Sequence, residues 1–127
     1  MPLIALDALQ VREIFPGFRA RIVHSERTSH SWVEIDSGAR FPEHHHPHEQ
    51  IVNVLEGELE LVVRGAVHRL VPGQVFVIPP DVPHHGRAIT ACRVLDVFAP
   101  VRDDYRTVSD TVPGSAYGEE DHANRNS

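Results

Sequence analysis

The chain has a single cysteine, Cys92, among its 127 residues. One thiol excludes an intramolecular disulfide and fits a reducing compartment. No apolar run approaches the ~20 residues that a membrane-spanning helix needs. Residues 1–7 lack the basic segment and apolar core of a secretory leader, so a cytoplasmic location is expected. Basic stripes with interleaved aromatics are missing too. Aromatics make up only 6% of the chain and net charge is −6, so no nucleic-acid surface is expected. Finally, no stretch of ten or more residues keeps a 3.6-residue apolar period, which argues against long helices.

What the chain has is punctuation and alternation. Ten prolines and eight glycines are spread along it, marking turns between short strands. Strands are expected at residues 18–24, 31–36, 51–55, 58–63, 66–71, 74–78 and 92–98, with a short helical turn or edge segment within residues 2–10. Glu56-Gly57 reads as a hairpin turn in which glycine supplies positive φ. About eight to ten closely spaced strands predict an all-β sandwich or barrel. From residue 107 the chain turns polar and loses large aliphatics. This segment cannot offset its ordering entropy by burial and is expected to be a flexible tail after a domain of residues 1–106.

The unusual feature is histidine. Ten are present, four of them between Glu43 and Glu49. In an extended segment alternate residues share a face. His44 and His46 therefore point one way and His45 the other. Gln50 follows after Pro47, and His84 arrives after the stiff stretch Pro79-Pro80-Asp81-Val82-Pro83. Three imidazoles and one amide oxygen could hold a divalent transition metal and leave coordination positions open. No anionic ligand is among them, so the ion would keep most of its charge. Nickel, iron, manganese, cobalt and zinc all suit such donors. His48 has the parity of His44 and His46 and competes as a ligand if Pro47 does not break the strand; His45 and His85 are not expected to bind. A solvated histidine loop is the bland alternative. Cys92 is expected to be a small buried packing residue, and Trp32 and Tyr105 core or interface aromatics.

These residues resemble the cupin superfamily. Gly38, His44, His46, Gln50 and Gly57 fall at the spacings of its first motif, with Gln50 where glutamate is usual. Gly73, Pro79 and His84 fit its second, with Asp81 in place of glycine and Ala88 in place of the last asparagine. Fifteen residues, 58–72, separate the motifs. The resemblance implies a single-domain β-jelly-roll barrel with a metal inside one end, and commonly a homodimer. It also implies that His84 meets His44 and His46.

A narrower resemblance lies in residues 95–105, Leu-Asp-Val-Phe-Ala-Pro-Val-Arg-Asp-Asp-Tyr. This is similar to the ending of KdgF-type pectin-degradation cupins. Those proteins open the ring of 4,5-unsaturated uronates with a His/His/Gln/His metal site, an aspartate, a phenylalanine and an arginine. The resemblance implies Asp96 as acid/base, Phe98 as a pocket wall and Arg102 as a clamp for a substrate carboxylate. The substrate would be a small carboxylate-bearing sugar or keto acid. Asp96 and Phe98 share a strand face with Val94 and Cys92; if that face is the barrel interior, Asp96 sits near the metal. A structural carboxylate–arginine pair, or a surface ion pair of Arg102 with Asp103 or Asp104, would instead leave these residues without a chemical role. A metal-dependent dioxygenase and a non-catalytic small-molecule binder remain the alternatives, the first weakened by the missing glutamate.

Overall fold

The structure, a computed structural model, describes residues 1–106. The expected tail at residues 107–127 lies outside the described residues. Ten strands follow one another: β1 (Arg12–Phe15), β2 (Phe18–His24), β3 (Ser29–Ile35), β4 (Arg40–His44), β5 (Glu49–Glu56), β6 (Leu59–Val63), β7 (Ala66–Leu70), β8 (Val75–Ile78), β9 (His84–Ala88) and β10 (Cys92–Ala99). Short 3-10 turns at Leu6–Ala8 and Asp103–Tyr105 are the helical elements among the described residues. No helix there is long and apolar enough to cross a membrane.

The strands form two antiparallel sheets, ordered β1-β2-β3-β10-β5-β8 and β4-β9-β6-β7. This is the all-β jelly-roll expected from the sequence. Alternation decides which face is inside. In β2 every second residue from Phe18 to His24 is buried, and in β3 every second residue from Ser29 to Ile35. The inner faces meet in one core that includes Ala20, Val33, Val52 and Val94 from one sheet and Leu59, Leu61 and Val63 from the other. Each fully buried valine or leucine of this core contributes ~1.5–3 kcal/mol. Cys92 is 3% exposed and packs in this core, as expected of it.

Two glycines are required by close approach. At Gly57, φ is +87° and an added Cβ would lie 2.1 Å from the Ala91 carbonyl oxygen. The turn therefore needs glycine for both conformation and space. At Gly86 an added Cβ would lie 2.5 Å from the Glu60 carbonyl oxygen and 3.0 Å from the Phe41 ring. Gly86 thus lets the Phe41 ring lie against the middle of β9.

Three strands have no counterpart in the sequence expectation: β1, β4 and β9. Each lacks an alternating apolar pattern. β4 carries Arg40, Pro42 and Glu43, and β9 reads His-His-Gly-Arg-Ala. Long-range pairing makes them strands, with β9 held between β4 and β6. Their pairing, rather than their composition, builds the histidine site.

Candidate metal centre

The pairing of β4 with β9 sets His44 directly opposite His84, with ring centroids 4.5 Å apart. His46 lies just beyond the end of β4. Its backbone carbonyl accepts a 2.7 Å hydrogen bond from Asp81 N–H, tying it to the proline-rich loop before β9. A ligand nitrogen from each of His44, His46 and His84 lies within 4.8 Å of the others. The two halves of the histidine pattern, about forty residues apart in sequence, converge at one end of the barrel.

Each ring is oriented the same way. His44 Nδ1 faces the Pro42 carbonyl at 2.9 Å, His84 Nδ1 the Val82 carbonyl at 2.9 Å, and His46 Nδ1 the His48 carbonyl at 3.0 Å. A carbonyl oxygen only accepts, so each Nδ1 carries the ring proton and each Nε2 presents its lone pair. Burial, with Arg102 and His84 nearby, pushes His46 down to about 4. His84 is lowered as well, chiefly by burial. His46 is therefore neutral at physiological pH, the form that binds metals.

Gln50, at the buried start of β5, completes the set. Its Oε1 lies 3.1 Å from His46 Nε2. With the His46 proton on Nδ1, two acceptors face each other, an arrangement that repels unless a cation lies between them. His84 Nε2 is buried with no hydrogen-bond partner among the described residues. A lone pair left in this way and two opposed acceptors are what a metal site looks like from its donors. His44, His46, Gln50 and His84 therefore fit a single divalent transition ion. His48 is not part of the three-histidine cluster; Pro47 turns the chain, and His48 contributes its carbonyl to orient His46.

Beside the histidines a pocket opens toward solvent. Asp96, Phe98 and Arg102 all line it, with His44, Gln50 and His84. Asp96 is on the inner face of β10 with Val94 and Phe98, as alternation required. Burial pushes its carboxyl up from the ordinary 3.8 to about 7, partly opposed by a hydrogen bond from Gln50 and by the charge of Arg102. Asp96 Oδ1 is shielded from solvent and has no hydrogen-bond partner among the described residues.

Arg102 is 5% exposed. Its guanidinium lies 3.9 Å from the Tyr105 ring centroid and 4.7 Å from that of Phe98. Its Nε and Nη2 donate to Asp104 at 2.9 and 2.7 Å. The ion pair considered from sequence therefore exists, but the arginine is buried and at the pocket wall rather than on the surface. Its backbone N–H donates to Ser29 Oγ at 2.8 Å, and that hydroxyl also meets buried His24 Nδ1 at 2.7 Å.

Sequence reasoning missed part of the pocket. Tyr105, expected only to pack, lines the cavity and carries Arg102. Phe15, Phe18 and Phe41 form an aromatic wall with ring centroids 5.7–6.0 Å apart. Phe15 could not be placed because β1 was not recognised. Tyr105 had a signal, its place at the end of the 95–105 pattern.

The cupin domain family matches residues 31–98, more than half of the chain. The chain belongs to the cupin family. Among solved structures, KdgF from Halomonas sp. is 31% identical with a TM-score of 0.77, over 83% of this chain and 100% of that one. An RmlC-like cupin from Shewanella frigidimarina is 28% identical with a TM-score of 0.74, over 79% of this chain and 91% of that one. Within the family, then, this is a small cupin resembling KdgF. Salicylate 1,2-dioxygenase from Pseudaminobacter salicylatoxidans, 19% identical with a TM-score of 0.65 over 68% of this chain and 27% of that one, shares the fold. No curated protein sequence matches the chain.

Proposed function

We propose that this chain is a mononuclear-metal cupin enzyme that opens the ring of 4,5-unsaturated uronates, and that it works as a homodimer. The observation that carries the reading is that a three-histidine cluster and an amide oxygen adjoin a pocket lined by a carboxyl titrating near neutrality and a buried arginine. His44, His46, Gln50 and His84 would hold the ion. When bound, the ion supplies Lewis acidity toward substrate oxygens.

The chain's own residues account for the proton. Asp96 takes the proton of the anomeric hydroxyl. The C1–O5 bond breaks, C1 becomes an aldehyde and C5 a ketone, and the former double bond accepts a proton at C4. Atoms balance without any co-reactant, because the proton lost from oxygen is returned to carbon. A carboxyl near pH 7 can both accept and return it. Arg102, in the pocket wall, would grip the substrate carboxylate with paired hydrogen bonds. Phe98 walls the pocket and keeps water from Asp96.

The test is loss of the near-ultraviolet absorbance of the conjugated double bond. Metal-loaded protein should accelerate it and Asp96→Asn should not. Full activity in Asp96→Asn would end this assignment. A second reading, a dioxygenase, is favoured by the Phe15–Phe18–Phe41 wall, which suits an apolar ring better than sugar hydroxyls. Oxygen uptake by iron-loaded protein with aromatic hydroxy acids would support it. The dimer is motivated by β8, a sheet edge unpaired among the described residues, with Val75 and Val77 about half exposed. Light scattering that gives a monomer mass at micromolar concentration would exclude it.

A further inference from the structure

Three shielded polar atoms on the residues lining the pocket have no hydrogen-bond partner among the described residues: His84 Nε2, Asp96 Oδ1 and Ser31 Oγ. The first two have roles above. Ser31 does not. It is 1% exposed, on the inner face of β3 between Ser29 and Val33. Ser29, two residues earlier, spends its hydroxyl on His24 and Arg102. Ser31 has no such use, and an unpaired buried hydroxyl destabilises a fold that alanine would serve as well.

Its position is specific. Ser31 stands directly opposite Asp96 across the β3–β10 pairing. Side chains so opposed have Cβ atoms about 4.5–5.5 Å apart, so a ligand oxygen can reach both. Ionised Asp96 only accepts, whereas the Ser31 hydroxyl can donate. A single ligand hydroxyl satisfies the two together, giving its proton to Asp96 and accepting from Ser31. A carbonyl or ether oxygen can satisfy only Ser31.

We infer that Ser31 is a substrate-binding, specificity-determining residue that donates a hydrogen bond to the substrate hydroxyl from which Asp96 takes its proton. The identity of that hydroxyl as the anomeric one rests on the ring-opening reading. As that proton leaves, charge builds on the oxygen and the bond from Ser31 strengthens. Ser31 therefore selects for a hydroxyl at this place and acts mainly on the rate.

The experiment uses Ser31→Ala, which folds with a thermal midpoint at or above that of wild type because the unpaired hydroxyl is gone. On unsaturated uronate its kcat/KM falls about 10–100-fold, mostly in kcat, while the pH of half-maximal rate stays in place. Calorimetric titration of both proteins with glucuronate and with tetrahydropyran-2-carboxylate, which has the ring and carboxylate but no hydroxyls, gives a readout without turnover. Wild type prefers glucuronate, and the variant loses at least about 5-fold of that preference. Wild-type kcat/KM and preference in the variant would overturn the inference. So would a displaced pH profile with unchanged preference, which would make Ser31 a tuner of Asp96. If wild type fails to turn over the uronate but its preference is lost in Ser31→Ala, the ring-opening reading falls and hydroxyl recognition by Ser31 stands. If neither probe binds wild type, both fall.

Discussion

Replacing Asp96 by asparagine should stabilise the metal-free protein at alkaline pH while removing its chemistry. The carboxyl sits on the inner face of β10 with one oxygen shielded and unpaired. Its folded-state pKa of about 7 against the ordinary 3.8 is a rise of about three units, each worth ~1.4 kcal/mol. A raised folded-state value means the carboxyl is harmless below its unfolded value and costs stability as pH climbs through the folded value. Fully ionised, above about pH 8, it costs the fold about 4 kcal/mol at most. Asparagine has the same shape, cannot ionise, and can keep the Gln50 hydrogen bond through its carbonyl. Urea denaturation of both proteins in chelator, from about pH 4 to about pH 8, should show near-equal stability at the acid end. The asparagine variant should then gain steadily, by a few kcal/mol, toward the alkaline end. A gap that does not change with pH, or a variant less stable than wild type at about pH 8, would refute the claim that burial raises this carboxyl. Chelator is essential, since a bound cation would draw the same pKa down.

The other expectations are simpler to state. Tag-free protein should carry about one transition ion per chain; His84→Ala should cut that at least about tenfold by elemental analysis, while His48→Ala leaves it unchanged, because His48 orients His46 through its backbone. The Arg102 guanidinium holds the Asp104 carboxyl below its ordinary range. That contribution is present above the ordinary 3.8 and lost as pH falls, so Asp104→Asn should flatten the acid end of the stability curve, by less than about 1 kcal/mol since Asp104 is 55% exposed. Gly57→Ala must place a Cβ against the Ala91 carbonyl at positive φ. It should lower the thermal midpoint by more than about 10 °C, and an unchanged midpoint would show that the turn relaxes easily.

What could be read before the fold was known follows from how local each signal is. Alternation placed β2 to the residue and put Asp96 and Phe98 on one face with Val94 and Cys92, because period two is a local property of the chain. Parity put His44 and His46 on one face, whereas their meeting with His84, which the structure shows, was implied by the family resemblance. Strand β9 was not found: His-His-Gly-Arg-Ala has no β signature, and it is a strand because β4 and β6 pair with it on both sides. Ser31 was invisible for a different reason. A serine on an inner strand position looks like any small core residue until its lack of a partner, and the carboxylate opposite it, can be seen.

In the proposed reaction the neutral fourth donor would connect the metal centre to the proton chemistry. Gln50 uses both ends of its amide: the oxygen faces His46 Nε2, and its hydrogen bond to Asp96 opposes part of the burial effect on that carboxyl. A glutamate at this position would donate an anionic oxygen to the ion, but it would also place a second carboxylate beside Asp96. Two carboxylates sharing one site resist ionising together, and the glutamate cannot donate a hydrogen bond when charged. Gln50→Glu should therefore retain at least wild-type metal content yet lose about tenfold or more in kcat, because Asp96 is then held protonated and cannot accept the proton, and the ion is a weaker Lewis acid. Undiminished turnover with metal bound would mean that the amide is only a ligand, and that Asp96 draws its behaviour from the barrel interior alone.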